Sequence, residues 1–342
     1  MSRVSHETRL ALIVAAAAVA PAGLAATPGA ECLEIIVDEQ RLDCFDQAIR
    51  EAVAGGAGAV DRGGAPPAMA TVPEPQQPQS LLDRAWVVDP ESRKTLVRLY
   101  HPNYGLFGRY TTDINMAPYE PLFDAFAEDG EFDSVEAKFQ LSFKARLWAD
   151  EERDFGVWFA YTQQNQWQVY NTDMSSPFRE TNYMPEFFVN LRPGVELGGW
   201  ELNQLNFGYN HQSNGRADPI SRSWDRLFVE AGIERGDFAV LAKAWTRIEL
   251  GSGEDDNPDI TDYLGYGELT GIWKPGGHSF TAMLRGNPAT GKGAGQLTWM
   301  SPPLWGPMKA YVQVFSGYGE SMIDYDWNQT TFGVGVAMND RL

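Results

Sequence analysis

His211 and Ser213 stand two residues apart in Gly208-Tyr-Asn-His-Gln-Ser-Asn-Gly-Arg216, and Ala217-Asp-Pro-Ile-Ser-Arg-Ser-Trp-Asp225 follows. A serine becomes an effective nucleophile when an imidazole takes its proton and an acid holds that imidazole. Residues two apart on a strand leave the same face, so this spacing sets nucleophile and base side by side. Asn214-Gly215 and Asp218-Pro219 are turn chemistry and predict a hairpin before a strand that begins near Trp224. A hairpin centred on Asp218 returns position 225 opposite position 211, with cross-strand neighbours about 5 Å apart. Ser213, His211 and Asp225 are thus expected on one surface as nucleophile, base and orienting acid. The chain has four histidines, and His6 lies in a segment expected to be removed, so His101, His211 and His278 are the candidate bases. A His near a Ser is a weak signal alone, and the plain alternative is three polar residues of a surface loop with no shared task.

The elements that would position these groups read as strands. Counting back by twos from His211 gives Tyr209, Phe207 and Leu205, so the pair continues an apolar stripe. Phe139, Leu141, Phe143, Ala145 and Leu147 alternate with Lys138, Gln140, Ser142, Lys144 and Arg146, the two-residue period of a strand with one wet face. The same period recurs in Phe155, Val157, Phe159 and Tyr161, in Leu227, Val229 and Ala231, and in Phe332, Val334 and Val336. A soluble sandwich shares this period. A membrane barrel is favoured by strands of about ten residues, by Trp and Tyr near segment ends, and by cationic Lys138, Lys144 and Arg146 on the inward side. Roughly 245 residues at about 20 per strand and turn give about twelve strands. On such a wall an outward His, Ser and Asp would each be costly without a purpose.

Composition bounds the rest. A net charge of −19 excludes nucleic acid as a partner, since phosphate binding needs a basic surface. Residues 1–25 read as a secretory signal, with Arg3 and Arg9 before an Ala-rich apolar run and small residues at its end. Cys32 and Cys44 are the two cysteines, and in an exported chain they are expected to form a disulfide within a small segment over 26–54. Residues 55–94, rich in Gly, Ala and Pro, are expected to be a disordered linker, and 95–342 to hold the functional domain. After residue 30 no run of 18 apolar residues occurs, which leaves strands as the spanning element. The expected fold is an all-β, transmembrane antiparallel barrel of about twelve strands with a short N-terminal periplasmic extension.

Tyr209-Asn-His, Ser213-Asn-Gly-Arg, Asp218-Pro and Ser221-Arg-Ser-Trp resemble the active-site segment of the outer-membrane phospholipase A family. Ser175-Ser-Pro-Phe-Arg-Glu-Thr-Asn-Tyr183, Asp255-Asp-Asn-Pro-Asp-Ile260 and Ser316-Gly-Tyr-Gly-Glu-Ser321 are similar to it too, so the resemblance runs from about residue 97 to the last. It implies a barrel with its site on the outer side, an activity controlled by dimerisation, and hydrolysis of sn-1 and sn-2 acyl esters of glycerophospholipids with calcium. The oxyanion hole would be the backbone N–H groups of Ser213 and Gly215. Calcium would be held by the Arg216 carbonyl and the Ser221 hydroxyl, with Ser175 reaching in from a second subunit; Asp218 and Asp256 match positions linked to another calcium site. Gln163 matches a polar residue at the family's dimer contact, and it shares parity with the apolar positions 155–161. The chain departs from the family at Asp225, where the usual residue is Asn. Two rivals remain: a non-enzymatic barrel, pore or structural, with a vestigial triad, and a soluble secreted esterase built as a sandwich.

Overall fold

The computed structural model describes residues 80–121, 123, 130–249 and 255–342, together with Cys44 and Gln47. The signal peptide expected over 1–25, the segment over 26–54 apart from those two residues, and the linker up to 79 lie outside the described residues. Cys44 is disulfide-bonded, while Cys32, the other half of the expected pair, falls outside them. Met1–Pro75 and Gln76–Leu342 are separate compact units, and the second carries the fold.

In chain order its elements are α1 (Leu81–Trp86), β1 (Leu96–Leu99), β2 (Tyr104–Thr111), β3 (Val135–Ala149), β4 (Phe155–Trp167), β5 (Phe178–Leu191), β6 (Val195–Leu197) and β7 (Trp200–Ser213). Then come β8 (Ser223–Arg235), β9 (Phe238–Ile248), α2 (Ile260–Leu264), β10 (Gly267–Trp273), β11 (Ser279–Asn287), β12 (Lys292–Trp305), β13 (Met308–Tyr318) and β14 (Asn328–Ala337). Every pairing is antiparallel, and the ring closes because β2 pairs with both β14 and β3 while β3 pairs with β4. β1 and β2 lie in line along β3, and β5 and β6 in line along β7, so the 14 strands build twelve wall positions. This is the closed barrel expected from the strand lengths, the aromatic placement and the inward cations, and not a sandwich. A closed ring leaves no strand edge unpaired, which is the condition for sheet in hydrocarbon.

The sequence alternation becomes an outside and an inside. Leu141, Phe143 and Leu147 of β3 are exposed on the outer wall, while Lys138, Lys144 and Arg146 are buried in the lumen. Trp167 stacks on Phe178 at one rim (5.2 Å between ring centres), and Phe238, Trp273 and Phe280 stack in sequence at the other (5.6 and 5.5 Å), as interfacial girdles require. Tyr161, by contrast, lies mid-strand on β4.

Several of the inward charges form ion pairs. Arg109 meets Glu320 and Glu136, Arg179 meets Glu136 and Asp324, and Lys138 lies 2.9 Å from Glu320. Glu320 and Asp324 belong to the loop between β13 and β14, so this network draws that loop into the barrel mouth. Burial pushes the Glu320 carboxyl up, but Arg109 and Lys138 outweigh it and hold the group below the usual carboxylate range. Ions buried in such a lumen persist where they find a partner.

Residues 81–86, expected to lie in a disordered linker, form helix α1. The Ser80 hydroxyl caps α1 by accepting the Asp83 N–H at 2.9 Å, the usual N-cap bond. Leu81 and Leu82 pack on Ala239, Leu241 and Ile272, Trp86 Nε1 donates to Gln204 Oε1 at 2.8 Å, and Lys144 Nζ sits 3.3 Å from the centre of a Trp86 ring. The Pro- and Gly-rich composition before residue 80 hid a short apolar turn that the barrel interior buries.

Candidate active site

β7 ends at Ser213 and β8 begins at Ser223, and their register pairs His211 with Asp225 and Ser213 with Ser223. The turn is therefore centred on position 218, as the turn residues predicted. Burial alternates along both strands: Asn206, Asn210, Phe228 and Glu230 are buried inward, while Phe207, Leu227 and Val229 are exposed outward. His211, Ser213 and Asp225 share the outward parity, and all three are partly exposed.

His211 Nδ1 lies 2.9 Å from Asp225 Oδ1. A carboxylate only accepts, so Nδ1 carries the proton and donates, and Nε2 is left with a lone pair for a hydroxyl. No hydrogen bond joins Ser213 to His211 among the described residues; in enzymes without substrate such contacts are commonly long and tighten only in the loaded complex. The other two histidines are elsewhere. His101 packs on Tyr100 (3.9 Å between ring centres), and His278 accepts from Trp299 Nε1 at 3.3 Å on the opposite rim.

Sequence reasoning treated Asn214 as a turn former only. It is buried and holds the loop by both ends: its N–H donates to Arg222 O (3.0 Å), its Nδ2 to Ile220 O (2.7 Å), and its Oδ1 accepts the N–H groups of Arg216 (3.2 Å) and Arg222 (3.0 Å). Gly215 follows at φ +64°, and a Cβ there would stand 2.9 Å from the Tyr183 ring. Glycine is thus needed for backbone and for space. The register of β5 and β7 pairs Tyr183 with Ser213, so this ring flanks the candidate nucleophile. Tyr209 was counted as part of an apolar stripe, yet its hydroxyl donates to Asp225 Oδ1. The signal was its parity with His211, two positions on.

The expected cation ligands are brought together in part. Ser221 Oγ donates to Asp256 Oδ2 at 2.5 Å, joining the β7–β8 loop to the loop after β9. Arg216 is tethered through its guanidinium to the carbonyls of Phe178 (3.0 Å) and Arg179 (3.5 Å), so its own carbonyl sits in a held loop. Asp218 is exposed in the turn, and Ser175 lies in the loop between β4 and β5, where no contact joins it to Ser221. Among the described residues no three His, Cys, Asp or Glu side chains converge. A cation here would rest on hydroxyl and carbonyl oxygens, one carboxylate and water, a donor set that suits a hard ion such as calcium and not zinc.

Gln163 faces outward on β4. Its Oε1 accepts from the Tyr161 hydroxyl (3.0 Å), and its Nε2 donates to Asn165 Oδ1 (3.0 Å), which also accepts from Thr181 (3.1 Å). Gln163 pairs with Tyr183, and Tyr183 with Ser213, so a polar row crosses the outer wall to Ser213.

The model of the phospholipase A1 family matches residues 82–338. The chain belongs to that family. Curated phospholipases A1 from Escherichia coli K12 (42% identical over 245 residues, 70% of this chain and 81% of that one) and Klebsiella pneumoniae (41% over 242 residues, 70% and 82%) are similar to it. So is the solved outer membrane phospholipase A of Escherichia coli, at 39% identity, a TM-score of 0.66, and 72% of this chain against 99% of that one. A Salmonella typhi outer membrane phospholipase, solved as a dimer with bound calcium, aligns at 37% identity and a TM-score of 0.67 over 77% and 98%. The barrel is accordingly a multi-pass barrel of the outer membrane.

Proposed function

We propose that this chain is a calcium-dependent phospholipase A that cleaves the sn-1 and sn-2 acyl esters of glycerophospholipids on the outer wall of its barrel, and that it works as a dimer. The observation that carries this reading is the 2.9 Å contact of His211 Nδ1 with Asp225 Oδ1 on the outward face that also bears Ser213. A lipid reaches such a face laterally, without leaving the bilayer.

In this reading Ser213 Oγ attacks the ester carbonyl while its proton passes to His211 Nε2. The N–H groups of Ser213 and Gly215 receive the oxyanion, and the loop clasped by Asn214 fixes where they point. His211 then returns its proton to the departing lysophospholipid alkoxide. Water attacks the acyl-Ser213 ester with the same imidazole as base, releasing fatty acid. Bound calcium would add positive charge beside the oxyanion, held by the Arg216 carbonyl, the Ser221 hydroxyl and Ser175 of a second copy. Asp256, already bonded to Ser221, and Asp218 would serve a cation in the single copy. Gln163 would meet its symmetry mate at the dimer contact, where pairing offsets the cost of an amide in hydrocarbon.

The pore reading has little room. The lumen retains a cavity of about 240 Å³, and side chains cross it, with Lys138 bonded to Gln313 (3.2 Å) and Lys243 to Glu186 (3.1 Å).

Fatty-acid release from phospholipid in mixed micelles, measured with calcium and with a chelator while cross-linking follows the dimer, tests the proposal. Hydrolysis and cross-linked dimer should rise together with calcium. Hydrolysis untouched by the chelator, or carried by a chain that never cross-links, would overturn the calcium or the dimer part respectively.

A further inference from the structure

The hydroxyl of Tyr209 and Nδ1 of His211 donate to the same oxygen, Oδ1 of Asp225. Tyr209 stands two positions before His211 on β7 and pairs with Leu227 on β8, which makes it the diagonal neighbour of Asp225 on the outer wall. From β9 the residue opposite Asp225 is Ile248, and Thr246 is the next with the same parity. Arg226 turns inward, toward Asn210 and Gln212. Among the described residues, the charged or titratable groups facing the Asp225 carboxylate are therefore His211 and Tyr209, both from β7.

An Asn, which the resemblance implies at this position, offers one acceptor oxygen and so meets an imidazole one way round. A carboxylate offers two equivalent oxygens and about four acceptor sites. Held by one imidazole N–H, it can turn about its last bond and carry the ring with it. A second donor on the same oxygen removes that freedom. It also shares a negative charge that stands at the edge of hydrocarbon with a side-chain exposure of only 17%, where an ion with one partner is costly.

We propose that Tyr209 is a positioning residue: it selects which oxygen of Asp225 holds His211 and shares the charge, and so allows a carboxylate to replace an amide on the lipid-facing wall. The inference rests on the Ser213–His211–Asp225 reading above.

The test is Tyr209→Phe, which keeps the ring and its packing, made in the parent chain and again in the Asp225→Asn chain. In the parent, kcat for a dispersed ester at saturating calcium should fall about tenfold with KM within about twofold; with Asn at 225 the same change should cost less than about twofold. An equal loss in both backgrounds, or a rise in KM at unchanged kcat, would overturn the proposal. A second measurement needs no turnover. The Nδ1–H proton of His211, followed by NMR with labelled histidine in micelles, should shift or broaden in Tyr209→Phe and not in Tyr209→Phe/Asp225→Asn relative to Asp225→Asn. An unmoved resonance in the parent background would also overturn it. If the parent showed no Ser213-dependent hydrolysis, the phospholipase reading would fail while the NMR comparison still decided the role of Tyr209.

Discussion

Two stretches of the same outer wall face the same solvent in different ways. On β10 to β13 the outward set is largely hydrocarbon: Leu269, Leu284 and Leu297 are exposed, and Leu297, Val312 and Val314 help line an apolar groove of about 510 Å³. On β4 to β8 the outward set includes Gln163, Asn165, Tyr183, Tyr209, His211, Ser213 and Asp225. Both stretches follow one two-residue period, so alternation does not distinguish them. The difference lies in pairing. The Gln163 amide is bonded at both ends, Asn165 accepts two donors, and Asp225 accepts two more. Polar groups are stabilised on a lipid face where neighbours bond them; among the described residues Asn165 Nδ2 and the Ser213 hydroxyl find no such partner, and the proposal asks the second of these to react.

The sharpest way to break the polar stretch is to remove its proposed base. His211→Ala should lower kcat for phospholipid by about 10⁴-fold or more, as loss of a member of a nucleophile–base unit does, with the folded barrel unchanged by heat-dependent gel mobility. Gly215→Ala comes next. The left-handed backbone and the Tyr183 ring both resist a Cβ, so the loop should shift and kcat fall by about 10²- to 10³-fold, the range for a lost oxyanion donor, while KM stays near its parent value. Asp225→Asn should be milder, with activity kept within about a hundredfold, because an amide oxygen can still accept the Nδ1–H; this contrasts with the roughly 10⁴-fold loss at a buried triad aspartate. Steady-state rates at saturating calcium decide both. The apolar stretch should answer oppositely. Leu297→Arg, at mid-wall on β12, should destabilise the barrel by about 2–4 kcal/mol in bilayer refolding titrations, yet leave kcat of the folded fraction within about twofold.

Much of this contrast can be read from residue order. The fold was legible because strand walls obey a two-residue period, and the pairing of His211 with Asp225 because Asn-Gly and Asp-Pro mark a turn whose centre fixes the register. What escaped depends on contacts between distant segments. Tyr209 looked apolar by position, and its bond to Asp225 appears only once two strands are laid in register. Asn214 read as a turn residue, but its worth lies in the carbonyls and N–H groups that the closed loop presents to it. Arg179, Glu136 and Asp324 carry no local pattern: their ion pairs span up to 145 residues and exist because the ring closes. α1 was lost for a related reason, since six residues after a Pro-rich stretch become helix only where the barrel interior buries Leu82 and Trp86.

The central claim is that the hydroxyl on the outer wall at position 213 does the chemistry. Fatty-acid release from phospholipid in detergent micelles with calcium, compared between the parent chain and Ser213→Ala at equal amounts of folded barrel, tests it most directly. Release by the parent is expected, with a rate for Ser213→Ala at the level of buffer. Equal release by both would contradict it.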